Sequence, residues 1–178
     1  MSAVTAELHN ALVSALGRRV VRHSNVSEKP LSLDLALPLP PRLRIYMYSL
    51  VVGGTKRPGE FKVVVRVPGQ VLGQYGSFDH SGNRLALLIG YSAKLDVFVL
   101  WDASLHPKFK YAGNIQVRAP TVHKAAALGY AREARLLSSS GLTEVVIACQ
   151  SGKLAKAIDE RVSLTGDQSG HPWVASQT

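Results

Sequence analysis

The chain has 178 residues and a formal net charge of +9, with 21 lysines and arginines against 12 acidic residues. This length suits one domain with its own core, and the excess of cations favours an anionic partner such as nucleic acid. A single cysteine excludes a disulfide framework or a cysteine-built zinc site. No apolar run approaches the roughly 20 residues of a membrane helix, so we expect a cytoplasmic protein with no membrane partner.

Residues 1–41 are predicted to form an N-terminal helix and a proline-rich linker. An apolar stripe that includes Leu8 and Leu12 predicts an amphipathic helix over 3–17, with Gly17 at its end. Four prolines between residues 20 and 41 exclude a continuous helix and indicate an extended crossing.

Residues 42–165 are predicted to form the main domain, and 166–178 a flexible tail. The segment 42–48 alternates strictly: one face carries Leu43, Ile45 and Met47, and the other presents Arg42, Arg44, Tyr46 and Tyr48. We expect the second face to carry function. Further strands are predicted at 61–67, 84–91, 95–101, about 108–118 and 143–149, and helices at 121–137 and 151–162, the last capped by Ser151.

This order of elements predicts the fold class. Several short strands precede the first long internal helix, which favours an α+β protein with a small curved sheet or small β-barrel and flanking helices. Cys149 lies in the apolar run 145–149 and is predicted to be a buried small hydrophobe.

Two stretches combine cations with aromatic rings. Glu60 is the only acid between residues 42 and 78, and Asp102 is the only acid between 97 and 132. Such a composition suits a surface that holds a phosphate backbone and stacks bases. The glycine-rich loop 53–59 places Lys56 and Arg57 at an exposed tip that could enter a groove.

Two aromatic–carboxylate pairs are candidates for reading a base. Trp101–Asp102 ends a predicted strand, and Phe78–Asp79 lies in a loop. An aspartate accepts a hydrogen bond from the exocyclic amine of cytosine while a neighbouring ring stacks on the base. The alternative for Asp102 is a helix cap or turn residue after a core tryptophan.

Hydrolytic chemistry has less support in the sequence. Glu60 and Lys62 match the Glu-x-Lys half of a restriction-nuclease metal site, but the only upstream aspartate is Asp34, in the proline-rich region. The histidines lack the spacing of metal ligands. We therefore expect no catalytic residues, no metal and no cofactor.

Four segments, at 54–62, 88–91, 99–102 and 114–117, carry a resemblance to a known family. Across about residues 46–161 the order of elements resembles SRA-like (PUA-superfamily) readers of 5-methylcytosine, which are associated with modification-dependent restriction. The resemblance implies a PUA/SRA-like β-barrel that flips the modified base, sandwiches it between rings and reads its amine with a carboxylate.

The resemblance implies a base pocket among Tyr46, Tyr48, Phe78, Asp79, Tyr91, Trp101 and Asp102, in which two of the five rings hold the base and Asp102 or Asp79 reads its amine. Contacts to the DNA backbone or groove are assigned to Arg42, Arg44, Lys56, Arg57, Lys62, Arg66, Lys108, Lys110, Asn114 and Arg118.

The expected function is binding of double-stranded DNA that contains a modified base, with 5-methylcytosine as the leading choice, by base flipping and without catalysis. The protein would act alone or with a separate nuclease. Two alternatives stay open: a magnesium-dependent nuclease that uses Glu60 and Lys62, and an RNA-binding PUA-like module.

Overall fold

The computed structural model describes residues 3–54, 56 and 58–169 of the chain. Three α-helices lie in this part: α1 (Ala3–Leu16), α2 (Ala119–Leu128) and α3 (Leu154–Ser169). Its strands are β1 (Val20–His23), β2 (Leu31–Leu35), β3 (Arg42–Ser49), β4 (Val51–Val52), β5 (Glu60–Val65), β6 (Tyr75–Gly76), β7 (Leu85–Ser92), β8 (Val97–Trp101), β9 (Phe109–Lys110), β10 (Gly113–Arg118), β11 (Tyr130–Leu136) and β12 (Thr143–Cys149).

A seven-stranded sheet forms the middle of the molecule, in the order β1-β2-β3-β7-β8-β12-β11. Strands β3 and β7 are parallel, and the other neighbours in this sheet are antiparallel. A three-stranded sheet has the order β10-β5-β4, and β6 pairs with β9. The predicted α+β class is confirmed. The sheets do not close into a barrel, so the predicted barrel is wrong.

The large sheet is covered on both faces. Helices α1 and α3 pack on one face, where Leu43, Ile45 and Met47 of β3 join their core. The three-stranded sheet and α2 cover the other face, where Tyr46 and Tyr48 are buried. The alternation in β3 therefore separates two cores, and does not separate a core from solvent.

The proline-rich segment contains strands. The predicted extended crossing holds β1 and β2, and β2 pairs with β3 along the edge of the large sheet. The leucines of β2 are buried in the core that α1 covers. The helix predicted at 3–17 corresponds to α1, whose apolar side faces that core.

The two later helices differ from their predicted bounds. Helix α2 ends at Leu128 because Gly129 adopts φ 89°, a left-handed conformation that caps helices, and residues 130–136 then form β11. Ser151 does not cap α3: it begins a 3₁₀ turn, and its hydroxyl donates to Asp96. Helix α3 extends through residues 166–169, and the rest of the predicted tail lies outside the described residues.

Two further findings concern buried and apolar segments. Cys149 is buried as predicted, and burial raises the pKa of its thiol to about 12. The helices that the structure describes are all too short or too polar to span a membrane.

Candidate functional site

The outer face of the three-stranded sheet carries a row of polar side chains. In β5 the residues Phe61, Val63 and Val65 face the core, so Lys62 and its alternate neighbours face away from it. Strand β10 runs antiparallel beside β5, with Gln116 opposite Lys62. Since cross-strand partners share a face, the amide and the ammonium lie side by side on the surface.

A cleft of about 590 Å³, here called the sheet cleft, lies over this face. Its described lining consists of Gly53, Gly54, Lys56, Glu60, Lys62, Asn114 and Gln116. Two ammonium groups and two carboxamides supply donors for phosphate and base edges. The two glycines present no side chains, so a ligand can approach the backbone closely.

Glu60 is the one carboxylate in the described lining of the sheet cleft, and it is already paired. One of its oxygens lies 3.7 Å from the Arg135 guanidinium on β11. Within the described ranges, neither Lys56 nor Lys62 has a carboxylate within 4.0 Å. The cleft therefore presents net positive charge.

A second surface, here called the tyrosine edge, is formed by Tyr75, Lys108, Lys110, Tyr111 and Arg66. Tyr75 on β6 is 59% exposed, and the Lys108 ammonium lies 4.8 Å from its ring centroid. The Arg66 guanidinium donates to the Tyr111 hydroxyl and lies 5.2 Å from that ring's centroid. Rings that stay accessible beside cations suit base stacking with phosphate contacts nearby.

Between the two tyrosines lies a smaller cleft of about 320 Å³. Its described lining is Leu72, Gly73, Gln74, Tyr75, Lys110 and Tyr111. Leu72 is largely exposed, so the cleft combines apolar walls with a cation at its rim. This chemistry matches a flat aromatic group that carries a negative charge.

The aromatic rings predicted for the base pocket are mostly buried. Tyr46 and Phe78 pack with ring centroids 4.8 Å apart, and the Tyr46 hydroxyl accepts from the Asp79 amide. The buried Tyr48 donates its hydroxyl to the Arg66 carbonyl. Burial is the main cause that raises the pKa of both tyrosines. In this conformation these rings have no free face for a base.

Trp101 and Asp102 also belong to the interior. Trp101 is 0% exposed, and its indole nitrogen donates to the Gln116 carbonyl at 2.9 Å. Asp102 is 1% exposed and accepts from the Ser104 amide at 3.0 Å, which caps the short 3₁₀ turn at 103–105. Asp102 therefore caps a short turn and follows a core tryptophan, which is the alternative that the sequence analysis left open.

The other two predicted pocket residues, Tyr91 and Asp79, lie away from each other and on different parts of the large sheet's surroundings. Tyr91 stacks on Phe98 at 4.3 Å, on the face that α1 and α3 cover, and burial together with Asp96 raises the pKa of its phenol. Asp79 is exposed and pairs with Arg44 at 3.3 Å, and hydrogen bonds from Ser81 lower the pKa of its carboxyl. The structure thus does not bring the seven pocket residues together.

The predicted DNA-contacting residues separate into three groups. Lys56, Lys62 and Asn114 line the sheet cleft, and Arg66, Lys108 and Lys110 form the tyrosine edge. Arg42 is exposed, Arg44 donates to the Asp79 and Ser81 carbonyls, and Arg118 lies 3.6 Å from Glu133. Arg57 lies outside the described residues.

Only the Glu-x-Lys half of the predicted nuclease site lies in the sheet cleft. Glu60 and Lys62 line the same cleft, but Asp34 lies on β2 of the other sheet, where Arg22 and Arg84 hold it at 2.9 and 2.8 Å. Among the residues with described positions, no group of three His, Cys, Asp or Glu side chains could hold a metal ion.

Sequence reasoning did not assign Gln116, Tyr75 or Tyr111 to the site. Tyr75 and Tyr111 lie within the basic stretches that it recognised, and the polar alternation of β10 could have indicated Gln116. Which rings of those stretches reach solvent depends on the packing of two sheets.

Comparison with known proteins gives one family. The family model described as "Methylase-associated X1" matches residues 41–158, which is more than half of the chain and includes the sheet cleft and the tyrosine edge. Searches of curated proteins and of solved structures gave no match. The chain therefore belongs to the Methylase-associated X1 family.

Proposed function

We propose that this protein binds double-stranded DNA through the sheet cleft and the tyrosine edge, as a reader of base modification that works beside a DNA methylase or restriction system. One observation carries the proposal: the described part of this surface combines five cations with the exposed Tyr75 and the half-buried Tyr111, and its one carboxylate is paired with Arg135. The family's description supplies the methylase association.

The cations of the two surfaces meet along the chain at β5. Lys62 of the sheet cleft lies on β5, and Arg66 of the tyrosine edge directly follows this strand. A phosphate backbone that crosses both surfaces would meet both cations. Lys108 and Lys110 extend the positive charge beyond Arg66.

The uncharged groups supply candidate base contacts. Asn114 and Gln116 carry carboxamides, which form paired hydrogen bonds with base edges in the major groove. A base flipped out of the duplex would instead find Tyr75, Tyr111 and the apolar Leu72 at the tyrosine edge. We propose 5-methylcytosine as the modification, because its methyl group favours an apolar wall.

We further propose that the protein recognises DNA without cleaving it. The cleft holds Glu60 and Lys62 but, in its described lining, no second carboxylate that would complete a two-carboxylate magnesium site. Cleavage that depends on magnesium would select the nuclease alternative, and stronger binding to structured RNA than to methylated duplex would select the RNA-binding alternative.

The experiment is a gel-shift panel with unmodified, 5-methylcytosine and N6-methyladenine duplexes and a structured RNA. We expect the tightest binding to a modified duplex, with Lys62→Gln weakening all duplexes alike and Tyr75→Ala reducing the preference for the modified one. Lys94→Gln makes the same charge change at an exposed position between β7 and β8 and serves as the matched control. Equal binding of wild type and Lys62→Gln would refute the assigned surface.

A further inference from the structure

A third cleft, of about 660 Å³, lies beside the tyrosine edge and is here called the Lys29 cleft. Its described lining consists of Thr5, Glu28, Lys29, Arg66, Val67, Pro68, Gly69, Gln70 and Tyr111. Residues from α1, from the segment before β2 and from the loop after β5 thus meet around one space. Lys29 has no role in the surface described above.

Lys29 is held in place by an aromatic ring. Its ammonium lies 3.9 Å from the ring centroid of Tyr48, and this tyrosine is buried in the core. The Tyr48 hydroxyl donates to the Arg66 carbonyl at 3.0 Å, so the same tyrosine ties Lys29 to the backbone of Arg66. The Arg66 guanidinium is held separately, because it donates to the Tyr111 hydroxyl. Both cations are thus positioned before any ligand arrives, which lowers the entropy cost of binding.

The charge of this pair is not balanced inside the described structure. In the ranges 3–54 and 58–169, neither Lys29 nor Arg66 has a carboxylate within 4.0 Å, and Glu28 is exposed to solvent. Burial, with the Arg66 charge as a smaller cause, lowers the pKa of Lys29 to about 8. At pH 7 the ammonium is still mostly protonated, so the cleft holds two cations against the one carboxylate of Glu28, which pairs with neither of them.

The other polar neighbours of the pair, His9 and Tyr111, carry no negative charge. His9 on α1 is buried and its pKa is lowered, mainly by burial, with the Lys29 charge as a further cause. Tyr111 engages the Arg66 guanidinium through its hydroxyl. Thr5, in the first turn of α1, lines the cleft near a helix end that favours anions.

We propose that the Lys29 cleft is a phosphate-binding subsite in which the Lys29 ammonium and the Arg66 guanidinium hold one phosphate group. The group belongs either to the backbone of bound DNA or to a small phosphorylated ligand. The chemistry is shared by both sources: an anion with several acceptor oxygens relieves the repulsion between the two cations and accepts hydrogen bonds from each.

The test uses inorganic phosphate as the probe, with melting temperature as the readout at pH 7 and constant ionic strength. Replacing chloride by phosphate should raise the melting temperature of the wild type by about 2–4 °C once phosphate exceeds its dissociation constant several-fold. Lys29→Gln and Arg66→Gln should lose this increase, and Lys29→Arg should keep it. Lys94→Gln removes an equal charge elsewhere and should behave as the wild type.

Two results would overturn the subsite: no phosphate effect in the wild type, or an undiminished effect in both Lys29→Gln and Arg66→Gln. A second arm distinguishes the two sources. If the phosphate is that of DNA, Lys29→Gln should also weaken duplex binding and reduce the salt slope by about 0.9. If it belongs to a small ligand, duplex binding should stay unchanged while the melting effect is lost. Because the phosphate arm contains no DNA, its outcome is independent of the proposed DNA binding.

Discussion

At the scale of single residues, the interior of the protein contains an ion pair that is sealed from water. The Arg161 guanidinium lies 3.2 Å from the Asp102 carboxylate, and both side chains are 0% exposed. Glu144 accepts from the Asp102 amide and contacts His106, so the charges form a connected network. Burial lowers the pKa of Arg161, and the neighbouring carboxylates oppose that effect.

Replacing Asp102 by alanine should destabilise the fold. The change leaves Arg161 buried without its counter-charge, and loss of one partner of a buried pair costs about 3–5 kcal/mol. Urea denaturation would measure this loss, with Asp159→Ala on the exposed side of α3 as the control. Full stability of Asp102→Ala together with loss of preference for modified DNA would instead support the base-reading role predicted from sequence.

Lys29 should make stability depend on pH in a defined window. The folded protein releases the Lys29 proton near pH 8, whereas the ordinary lysine pKa is 10.5. Between these values the unfolded state binds more protons, so the Lys29 contribution to the free energy of unfolding increases with pH. Below about pH 8 the burial penalty is fully present, and above about pH 10.5 it is gone.

The measurement compares urea denaturation of the wild type and of Lys29→Met at pH 7.5, 9 and 10.5. The wild type should gain about 1–3 kcal/mol relative to the variant across this range. Tyr48 and Cys149 have raised pKa values in the folded protein, which lowers the free energy of unfolding as the pH rises. Both proteins share this contribution, so the difference between wild type and variant isolates the effect of Lys29. An equal pH profile for both proteins would contradict the buried ammonium.

At the scale of elements, the contact between β5 and β7 positions the sheet cleft. A Cβ atom at Gly90 of β7 would lie 2.7 Å from the Val63 methyl group on β5 and 3.1 Å from the Trp101 ring. Only glycine lets the two sheets approach this closely at that point. The Trp101 indole also donates to the Gln116 carbonyl on β10, so the small sheet is fixed at two of its strands.

Gly90→Ala should therefore loosen the packing of the two sheets. Overpacking of a filled core typically costs about 1–3 kcal/mol, which thermal and urea denaturation would both detect. Gly152→Ala is the matched control, since a Cβ at Gly152 meets nothing within 4 Å. Equal stability of the two variants would show that Val63 and Trp101 can move aside freely.

At the scale of the whole molecule, five of the 21 lysines and arginines lie on the surface proposed to bind DNA. The described sheet cleft and tyrosine edge hold Lys56, Lys62, Arg66, Lys108 and Lys110. Elsewhere several arginines are already paired with carboxylates, such as Arg22 and Arg84 with Asp34. The unpaired cations are the ones available to phosphates.

DNA binding should accordingly weaken steeply with salt. Five phosphate contacts predict a slope of about −4 to −5 in a plot of log affinity against log salt, at about −0.9 for each contact. Lys62→Gln should reduce the slope by about one contact, and Lys94→Gln should leave it unchanged. Fluorescence anisotropy with a short duplex would measure both, and a flat salt response would rule out a phosphate-based interface.

Local signals predicted a good part of the secondary structure. The apolar stripe of α1 and the strict alternation of β3 are properties of short segments, and both elements formed where they were expected. The helix at 121–137 was correct only to Leu128, because Gly129 ends it and β11 follows. The apolar residues of β11, Tyr130, Ala131, Ala134 and Leu136, do not alternate, so the sequence does not distinguish this strand from a helix without its partner strand β12.

The sequence also shows which stretches of the chain are basic. The positive surface contains Lys56, Lys62, Arg66, Lys108 and Lys110, all of which lie in the two stretches identified from sequence. Charge must stay near solvent unless it is paired, so the sequence alone indicates where exposed cations will be.

Tertiary structure decided which aromatic rings reach solvent and which are buried. Tyr46, Tyr48 and Trp101 look like surface or pocket rings in the sequence, yet each lies between the two sheets, because their polar atoms find hydrogen-bond partners there. Tyr75 is exposed instead, and Tyr111 is half-buried. The Lys29 cleft likewise exists only because α1, the segment before β2 and the loop after β5 converge, and periodicity within one segment carries no record of such long-range contacts.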